Sequence, residues 1–563
     1  MSDWVNKKIS KATLQKMTVL TALWFLTVFL FSCGSGGNDD AGAGAGSDTA
    51  IFPPVVFMAA NNIDGSIALY AAFDDGAEII ELSGTLVIGG DVVDFEISPD
   101  GIYVAYVADQ DKDGLFELYV VPVDKTPNEP EVKVSVPLEG RGIKETFVGS
   151  GEFYFAWAPD SSRVAYIGDA DDNTADLFEL FTSTPNGRQK NLISALVNSN
   201  SDVLDFQWEP ESTLIAYVAD QDIVGRVDLY VSPPNSNFPN RRVSPITVVN
   251  GGIKEVTAGS GKYAFAWAPD SSRLAYIADQ DVVDKFELFT VTPDGTGNLK
   301  ISNLPIGAGD RDVEEFKWAP DSQRIAYTAN QNLANAIDLF SAPPNRSAAS
   351  QQNSTGMAPG QGVSAFKWAP NSSRIAFISD KIVTDFFRLY SVQPTNSFDI
   401  LISGGLSNTS DVTDFDWAPD SSRICYIVDT QNFELYTTLP ADGPSTQIIG
   451  PSVVSGDVFD FEWAPNSSRI AYSADYNSDN VIELFSAAPD NSVNDKISGD
   501  LAIGGDVGVF KWAPDNSGVA YIADQDINNE DELFASRPNG DDNTLLSGTP
   551  LTGGDVTRFG WVP

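Results

Sequence analysis

The sequence predicts an all-β chain: a β-propeller of about ten four-stranded blades, closed by a blade that the amino- and carboxyl-terminal segments share. Three observations predict it: a motif that recurs about every fifty residues, strand-length apolar segments inside each copy, and partial copies at the two ends that complete each other. The motif is plainest in FAWAPDSSRLAYIADQD, Phe265 to Asp281, and in its near-copy FAWAPDSSRVAYIGDAD, Phe155 to Asp171. Aligned on its tryptophan, it falls at Ile97, Trp157, Trp208, Trp267, Trp318, Trp368, Trp417, Trp463, Trp512 and Trp561. Separations run from 46 residues (Trp417 to Trp463) to 60 (Ile97 to Trp157), the length of a propeller blade or of some helical repeats.

Periodicity inside the unit decides between them. In the copy beginning at Tyr263, the segments AFAWAP, RLAYIAD, FELFTVTP and NLKIS are short and rich in aromatic and β-branched residues, and PDSS, DQDVVD and PDGTG separate them as turns. No segment carries a helical period, so each copy is one four-stranded antiparallel blade. Leu274 and Tyr276 alternate with Ala275 and Ile277, which makes both faces of the strand apolar, as blades packed face to face require. Because the tryptophan recurs in nine of the ten copies, it reads as a wedge between blades rather than as a ligand platform.

Residues from about Pro54 (PVVFMAANNIDGSIALYAAFDDG) match the later strands of a unit and lack its first. The segment from Asp555 to Pro563 is a first strand alone, so each end supplies what the other lacks and no open sheet edge is left. A single ring of ten follows, since no separation leaves room for a linker; two smaller propellers are the alternative.

Residues 1–32 form a lipoprotein signal peptide. Lys7, Lys8, Lys11 and Lys16 precede an unbroken apolar run from Met17 to Phe31, shorter than a stable membrane span. The run ends in Leu30-Phe31-Ser32-Cys33, which resembles the bacterial lipobox and makes Cys33 the expected site of lipid attachment. Residues 33–50, nearly all glycine, alanine, serine and aspartate after the cysteine, are a low-complexity tether, and residues 51–563 are the propeller. Gly34 after the cysteine is similar to the signal that sends lipoproteins to the outer membrane. The chain is therefore expected in the bacterial cell envelope, lipid-anchored at the outer membrane, on its periplasmic side or at the cell surface.

With 34 Lys and Arg against 78 Asp and Glu, the net charge of -44 repels nucleic acid and anionic membrane surfaces, so nucleic acid is excluded as a partner and the membrane is met only through the acyl anchor. The sequence contains no histidine, which removes every Ser-His-Asp or Cys-His arrangement from these residues, and its two cysteines, Cys33 and Cys425, allow no thiolate zinc site. Cys425 replaces the alanine of a second strand and is expected to be buried and inert.

Taken together, WAPDSSRLAYIADQD followed by FELF and PDG resembles the TolB-type propeller repeat across nearly all of the mature chain. The resemblance implies the fold and suggests binding to other envelope proteins. It does not make the chain a TolB, whose propeller follows an α/β domain. Peptidases of the prolyl oligopeptidase type use a Ser-Asp-His triad outside the propeller, and oligogalacturonate lyases with similar repeats use histidine-rich metal sites; this sequence has no histidine for either.

Propeller topology puts the loop before each first strand and the loop between second and third strands on one face of the disc. Two acidic series fall there. One opens the first strands (Asp91 and Asp94, Asp202 and Asp205, Asp312, Asp411 and Asp414, Asp457 and Asp460, Asp506, Asp555), and the other occupies the second loops. In the second series the pairs Asp109 and Asp111, Asp220 and Asp222, Asp279 and Asp281, and Asp524 and Asp526 have the oxygen chemistry of Ca²⁺ ligands, although aspartate also favours turns on its own account. On the opposite face the Asp-Ser-Ser-Arg turns read as hairpin closures. Two near-identical insertions, Gly142 to Gly151 and Gly252 to Gly261, break the regularity; with Lys144, Glu145, Lys254 and Glu255 they are the candidate binding loops.

These features lead to the expectation of a non-enzymatic scaffold that binds an envelope protein or glycan, with no required cofactor and Ca²⁺ as an option. The alternatives are a carbohydrate-active enzyme using paired carboxylates and a calcium-stiffened structural surface protein.

Overall fold

The computed structural model describes residues 52–563 apart from 61–64, 127–129, 139–141, 147–149, 171–176, 195–200, 236–239, 247, 249–250, 258–259, 306–310, 408, 442, 449–455, 479 and 549–553. Cys33 and the signal and tether segments lie outside the described residues. Ten four-stranded antiparallel sheets are formed, as the repeat requires. Blade 1 opens with the strand Val92–Ile97, blade 2 with Phe155–Trp157, blade 3 with Val203–Trp208 and blade 4 with Phe265–Trp267. Blades 5 to 9 open with Val313–Trp318, Val363–Trp368, Asp411–Trp417, Val458–Trp463 and Val507–Trp512. Blade 10 is the shared one: Val556–Trp561 pairs with Val55–Ala60, with Val55 opposite Trp561 and Phe57 opposite Phe559.

The buried side chains fall into ten clusters, each made by two consecutive blades. Leu274, Tyr276 and Ala278 of blade 4 join Ala216, Val218 and Leu229 of blade 3, while Ala275 and Ile277 from the other face of the same strand join Ile325 and Tyr327 of blade 5. The series continues through every neighbour to the pair formed by blades 9 and 10 and then by blades 10 and 1. This cyclic order gives one ring of ten and excludes two smaller rings. Within each blade an aromatic pair lies across the second and third strands, from Tyr106 on Tyr119 in blade 1 to Phe57 on Tyr70 in blade 10, with centroids 5.3 to 5.7 Å apart.

The tryptophans do more than fill volume. Each donates its indole N–H to the carbonyl of the residue just before the equivalent tryptophan of the preceding blade: Trp208 to Ala156, Trp267 to Gln207, Trp318 to Ala266, and so on through Trp561 to Lys511, at 3.0 to 3.4 Å. The indole is therefore both the wedge and a hydrogen bond that fixes the height of each inner strand relative to the last. Only the interface between blades 10 and 1, where the chain ends meet, has an aliphatic residue, Ile97, in this place; it packs near Gly560.

A second link runs along the opposite face. The first serine of the Asp-Ser-Ser turn sits at φ near +60°, and its hydroxyl accepts the backbone N–H of the turn aspartate or asparagine one blade back: Ser212 from Asp160, Ser322 from Asp270, Ser372 from Asp321, Ser421 from Asn371 and Ser467 from Asp420, at 2.9 to 3.0 Å. Most turn arginines bind within their own blade, as Arg374 does to Ser391 and Arg324 to Ser341, while Arg469 of blade 8 also donates to the Pro538 carbonyl of blade 9.

Trp417→Phe keeps an aromatic ring in the wedge but removes the bond to the Lys367 carbonyl and part of the ring volume, and is expected to cost about 1–3 kcal/mol. Trp417→Ala also empties the wedge and is expected to cost about 3–5 kcal/mol. Denaturant midpoints of the two variants against the parent check both values.

Candidate functional site

The acidic loops are stitching. The first aspartate of each second loop has both carboxylate oxygens taken by backbone N–H groups: Asp109 from Asp91 at 2.6 Å and Gly114 at 2.9 Å, Asp220 from Asp202 and Gly225, both at 2.8 Å, Asp279 from Gly252 at 2.6 Å and Asp284 at 3.0 Å, and Asp524 from Asp506 and, at 3.1 Å, Asn529. The aspartates that open the first strands accept backbone N–H groups from the start of the preceding blade's third strand, as Asp202 does from Phe178 at 2.9 Å and Asp312 from Phe286 at 2.7 Å. The second aspartates of the loops face fourth-strand cations: Asp111 meets Lys133, Asp222 lies 3.8 Å from Arg242 and Asp281 2.9 Å from Lys300, while the Asp526 N–H donates to Glu532. Among the described residues no three carboxylate or thiol groups converge as a metal ion would require. These acids hold loop shape in most blades, and in blade 5 Asn330 takes the same place, accepting the Asp312 N–H at 2.7 Å.

The two insertions turn out to be the irregular feature that builds a site. Ile143 occupies the place that Val92 holds in blade 1, pairing with Gly168, and Tyr154 resumes the strand by accepting the Ile167 N–H. The chain leaves the innermost strand at the position of its usual bulge, and among the described residues the two arms pair, with Glu145 opposite Phe153 and the Tyr154 N–H donating to the Lys144 carbonyl. Blade 4 repeats this with Ile253, Glu255 opposite Tyr263, and Ala264 bonded to Lys254.

Although blade 3 separates them, the hairpins meet. The Tyr154 hydroxyl donates to the Gly261 carbonyl, and the Lys262 ammonium lies 4.4 Å from the centre of the Tyr154 ring. Lys144 crosses to blade 3 to reach the Val203 carbonyl at 3.0 Å, and Lys254 reaches the Val313 carbonyl at 3.0 Å and the Glu314 carboxylate at 2.9 Å on blade 5. The preceding inner strands hold the returning arms: Asp94 of blade 1 accepts the Phe153 N–H at 3.2 Å, and Asp205 of blade 3 the Tyr263 N–H at 3.1 Å. Lys144 and Lys254 each tie their hairpin to the following blade, and Glu255 accepts the Gly261 N–H at 2.9 Å within its own hairpin.

Across the lumen, blades 6 to 10 carry no insertion, and Ser364, Thr413 and Thr557 are exposed on their inner strands. Charged residues one and three places before the tryptophan position vary from blade to blade, unlike the loop acids: Asp94 and Glu96 in blade 1, Glu315 and Lys317 in blade 5, Asp414 and Asp416 in blade 7, Asp460 and Glu462 in blade 8, Lys511 in blade 9 and Arg558 in blade 10. Glu96 and Glu462 accept the backbone N–H of the next blade's tryptophan, Trp157 at 3.2 Å and Trp512 at 2.9 Å. Burial pushes their carboxyls up to about 8 and about 7. Burial also lowers the Lys144 ammonium to about 8. Tyr154, Gly261 and Lys262 were not singled out from the sequence; the signal available was their place beside the insertions. Cys425 is a buried free thiol, with burial holding its pKa well above the usual value.

Comparison with known proteins follows this geometry. No family model matches the chain. Over 147 residues, 26% of this chain, it is 27% identical to "Uncharacterized peptidase YuxL" of Bacillus subtilis (strain 168), and the match spans 19% of that relative's length. Among solved structures it is similar to a eukaryotic initiation factor (11% identity, TM-score 0.48, 91% of this chain and 99% of that one). It is also similar to Porphyromonas gingivalis dipeptidyl peptidase 4 (12% identity, TM-score 0.47, 77% and 65%). The match to a peptidase overturns the expectation of a non-enzymatic scaffold. That expectation weighed the absence of histidine within the repeats, but a propeller's sequence is silent on catalytic groups supplied from outside it.

Because Glu96 and Glu462 hold a proton in the folded protein at pH values where the unfolded chain, titrating near about 4.3, has lost it, they favour the fold at low pH, and this contribution declines as pH rises to about 7 for Glu462 and about 8 for Glu96. A Glu96→Gln, Glu462→Gln double variant is expected to show a shallower fall in thermal midpoint across that window than the parent. Parallel melts over the window check it.

Proposed function

We propose that this chain is a peptidase-type propeller, the part of a peptide-cleaving enzyme that receives substrate in its lumen, built from TolB-type repeats and tethered to the bacterial envelope through Cys33. The observation that carries this reading is the lumen itself. Its inner strands differ in charge from blade to blade, and the two insertions that leave those strands touch each other. The partial match to a peptidase supports the same direction. An extended peptide offers what such a wall recognises: backbone groups free to hydrogen-bond and side chains of either charge.

The 563 residues contain no histidine, so a Ser-His-Asp triad acting on that peptide draws at least its base from elsewhere. The anchor follows from Leu30-Phe31-Ser32-Cys33 and the tether behind it. Outer-membrane placement follows from Gly34.

Two experiments test the reading. The full chain in detergent is expected to bind a fluorescein-labelled unstructured peptide saturably by anisotropy, with competition by unlabelled peptide, none by oligogalacturonate, and weakening by Thr413→Trp in the lumen. Absence of saturable binding, or equal competition by the oligosaccharide, overturns it. Separately, labelled palmitate is expected to enter the parent in bacteria and to be lost from Cys33→Ser; equal labelling of both overturns the anchor.

A further inference from the structure

We infer that Asp526 and Glu532 of blade 9 form a socket for an ammonium group, and that a lysine side chain of a bound polypeptide fills it. The socket belongs to the outer half of the blade, so it goes beyond the lumen reading and does not rest on it. Its sister blades show the chemistry. In blade 4 the Lys300 ammonium stands 2.9 Å from both Asp281 of the second loop and Glu287 at the start of the third strand. Lys133 joins Asp111 and Glu117 in blade 1, at 2.5 and 2.7 Å. Arg242 lies 3.8 Å from Asp222 and 3.4 Å from Asp228 in blade 3, and Lys496 lies 2.6 Å from Glu483 in blade 8. Each of these cations is the fourth-strand residue opposite the third-strand aromatic, as Lys300 is opposite Phe289 and Lys133 opposite Tyr119.

In blade 9 that residue is Leu545, opposite Phe534, while the two acids are kept. Glu532 is 2% exposed; one oxygen accepts the Asp526 N–H at 3.1 Å, and the other is buried without a partner. Burial and the charges of Asp526, Glu530 and Asp524 push its carboxyl upward. Blades that lack the cation elsewhere compensate for it. In blades 5 and 7 a glutamine takes the place, and the acids accept hydroxyl groups, Asp338 from Ser354 at 3.0 Å and Glu434 from Tyr436 at 2.6 Å. Blade 2 has Leu192 there, but its Glu179 is half-exposed. Blade 6 has Leu401 there and Arg388 where the acid would stand.

The ligand is an ammonium rather than a metal ion, because the sister sockets close on one nitrogen and no three carboxylates converge among the described residues. Lys133 and Lys300 are 35% exposed, so the place they hold opens to solvent. A polypeptide suits the surroundings: Ile527 beside Asp526 is exposed, as is Ile503 (98%) on the adjoining loop, whose Gly504 approaches Asn528. The net charge of -44 favours a basic partner.

The test titrates a fluorescein-labelled unstructured peptide, with one lysine among leucines, into the full chain in detergent, followed by anisotropy. The protein carries Thr413→Trp, so that the result is independent of binding in the lumen. Saturable binding is expected, weakened about tenfold or more when the lysine is acetylated or when Glu532→Gln is introduced. Leu545→Lys supplies the ammonium from within, and is expected to remove the lysine-dependent binding and to raise the thermal midpoint. Equal binding of the two peptides, or lysine-dependent binding unchanged by Glu532→Gln or by Leu545→Lys, overturns the socket; the near-isosteric Glu532→Gln keeps the test open if Leu545→Lys does not fold. A rise in thermal midpoint with millimolar Ca²⁺ that Leu545→Lys abolishes makes this a metal site and overturns the ammonium assignment.

Discussion

Every other feature of this molecule depends on the contact between one blade and the next. A four-stranded sheet with two apolar faces is not stable alone, because each face leaves a row of Tyr, Ile, Leu and Val side chains to water. The ring solves this by making each blade the cover for two neighbours, and the Trp indole locks the register by bonding to the carbonyl behind the preceding tryptophan. Directional hydrogen bonds matter here because apolar packing by itself tolerates sliding; a ladder of indole–carbonyl bonds, seconded by serine hydroxyls on the opposite face, does not. The shared blade then removes the two faces that an open array would leave bare.

Much of this was legible in the residues. The alternation of Leu274 and Tyr276 with Ala275 and Ile277 states which side chain goes to which neighbour, and the complementary fragments at Pro54 and Asp555 state how the ring closes. What the sequence did not disclose was the division of labour among its aspartates. Asp-Gln-Asp reads equally as a cation loop or as a turn, since both uses need exposed oxygens beside free backbone groups. Only geometry distinguishes them: Asp109 and Asp279 have two N–H donors each. The glutamine between them, unremarked in the sequence, is the partner of the second-strand tyrosine, as Gln280 is of Tyr276 at 2.6 Å.

The insertions show the opposite case. Their length and likeness were visible, yet the contact between them was not, because it depends on which residues the ring brings together: Tyr154 and Gly261 stand 107 residues apart in the sequence. Asp94 and Asp205 belong to the acidic series by position but differ from Asp414 and Asp460 in being buried, because they stand in the two blades that precede a hairpin and receive its returning arm. Function in such a fold is sought where the repeat is broken, and here both breaks meet in one place.

Electron cryomicroscopy of the full chain in detergent, viewed down the ring axis, tests the central claim most directly. The account predicts ten radial blades around one lumen, with the excursions of blades 2 and 4 in contact with each other. Two smaller rings, a different number of blades, or excursions that stand apart would contradict it.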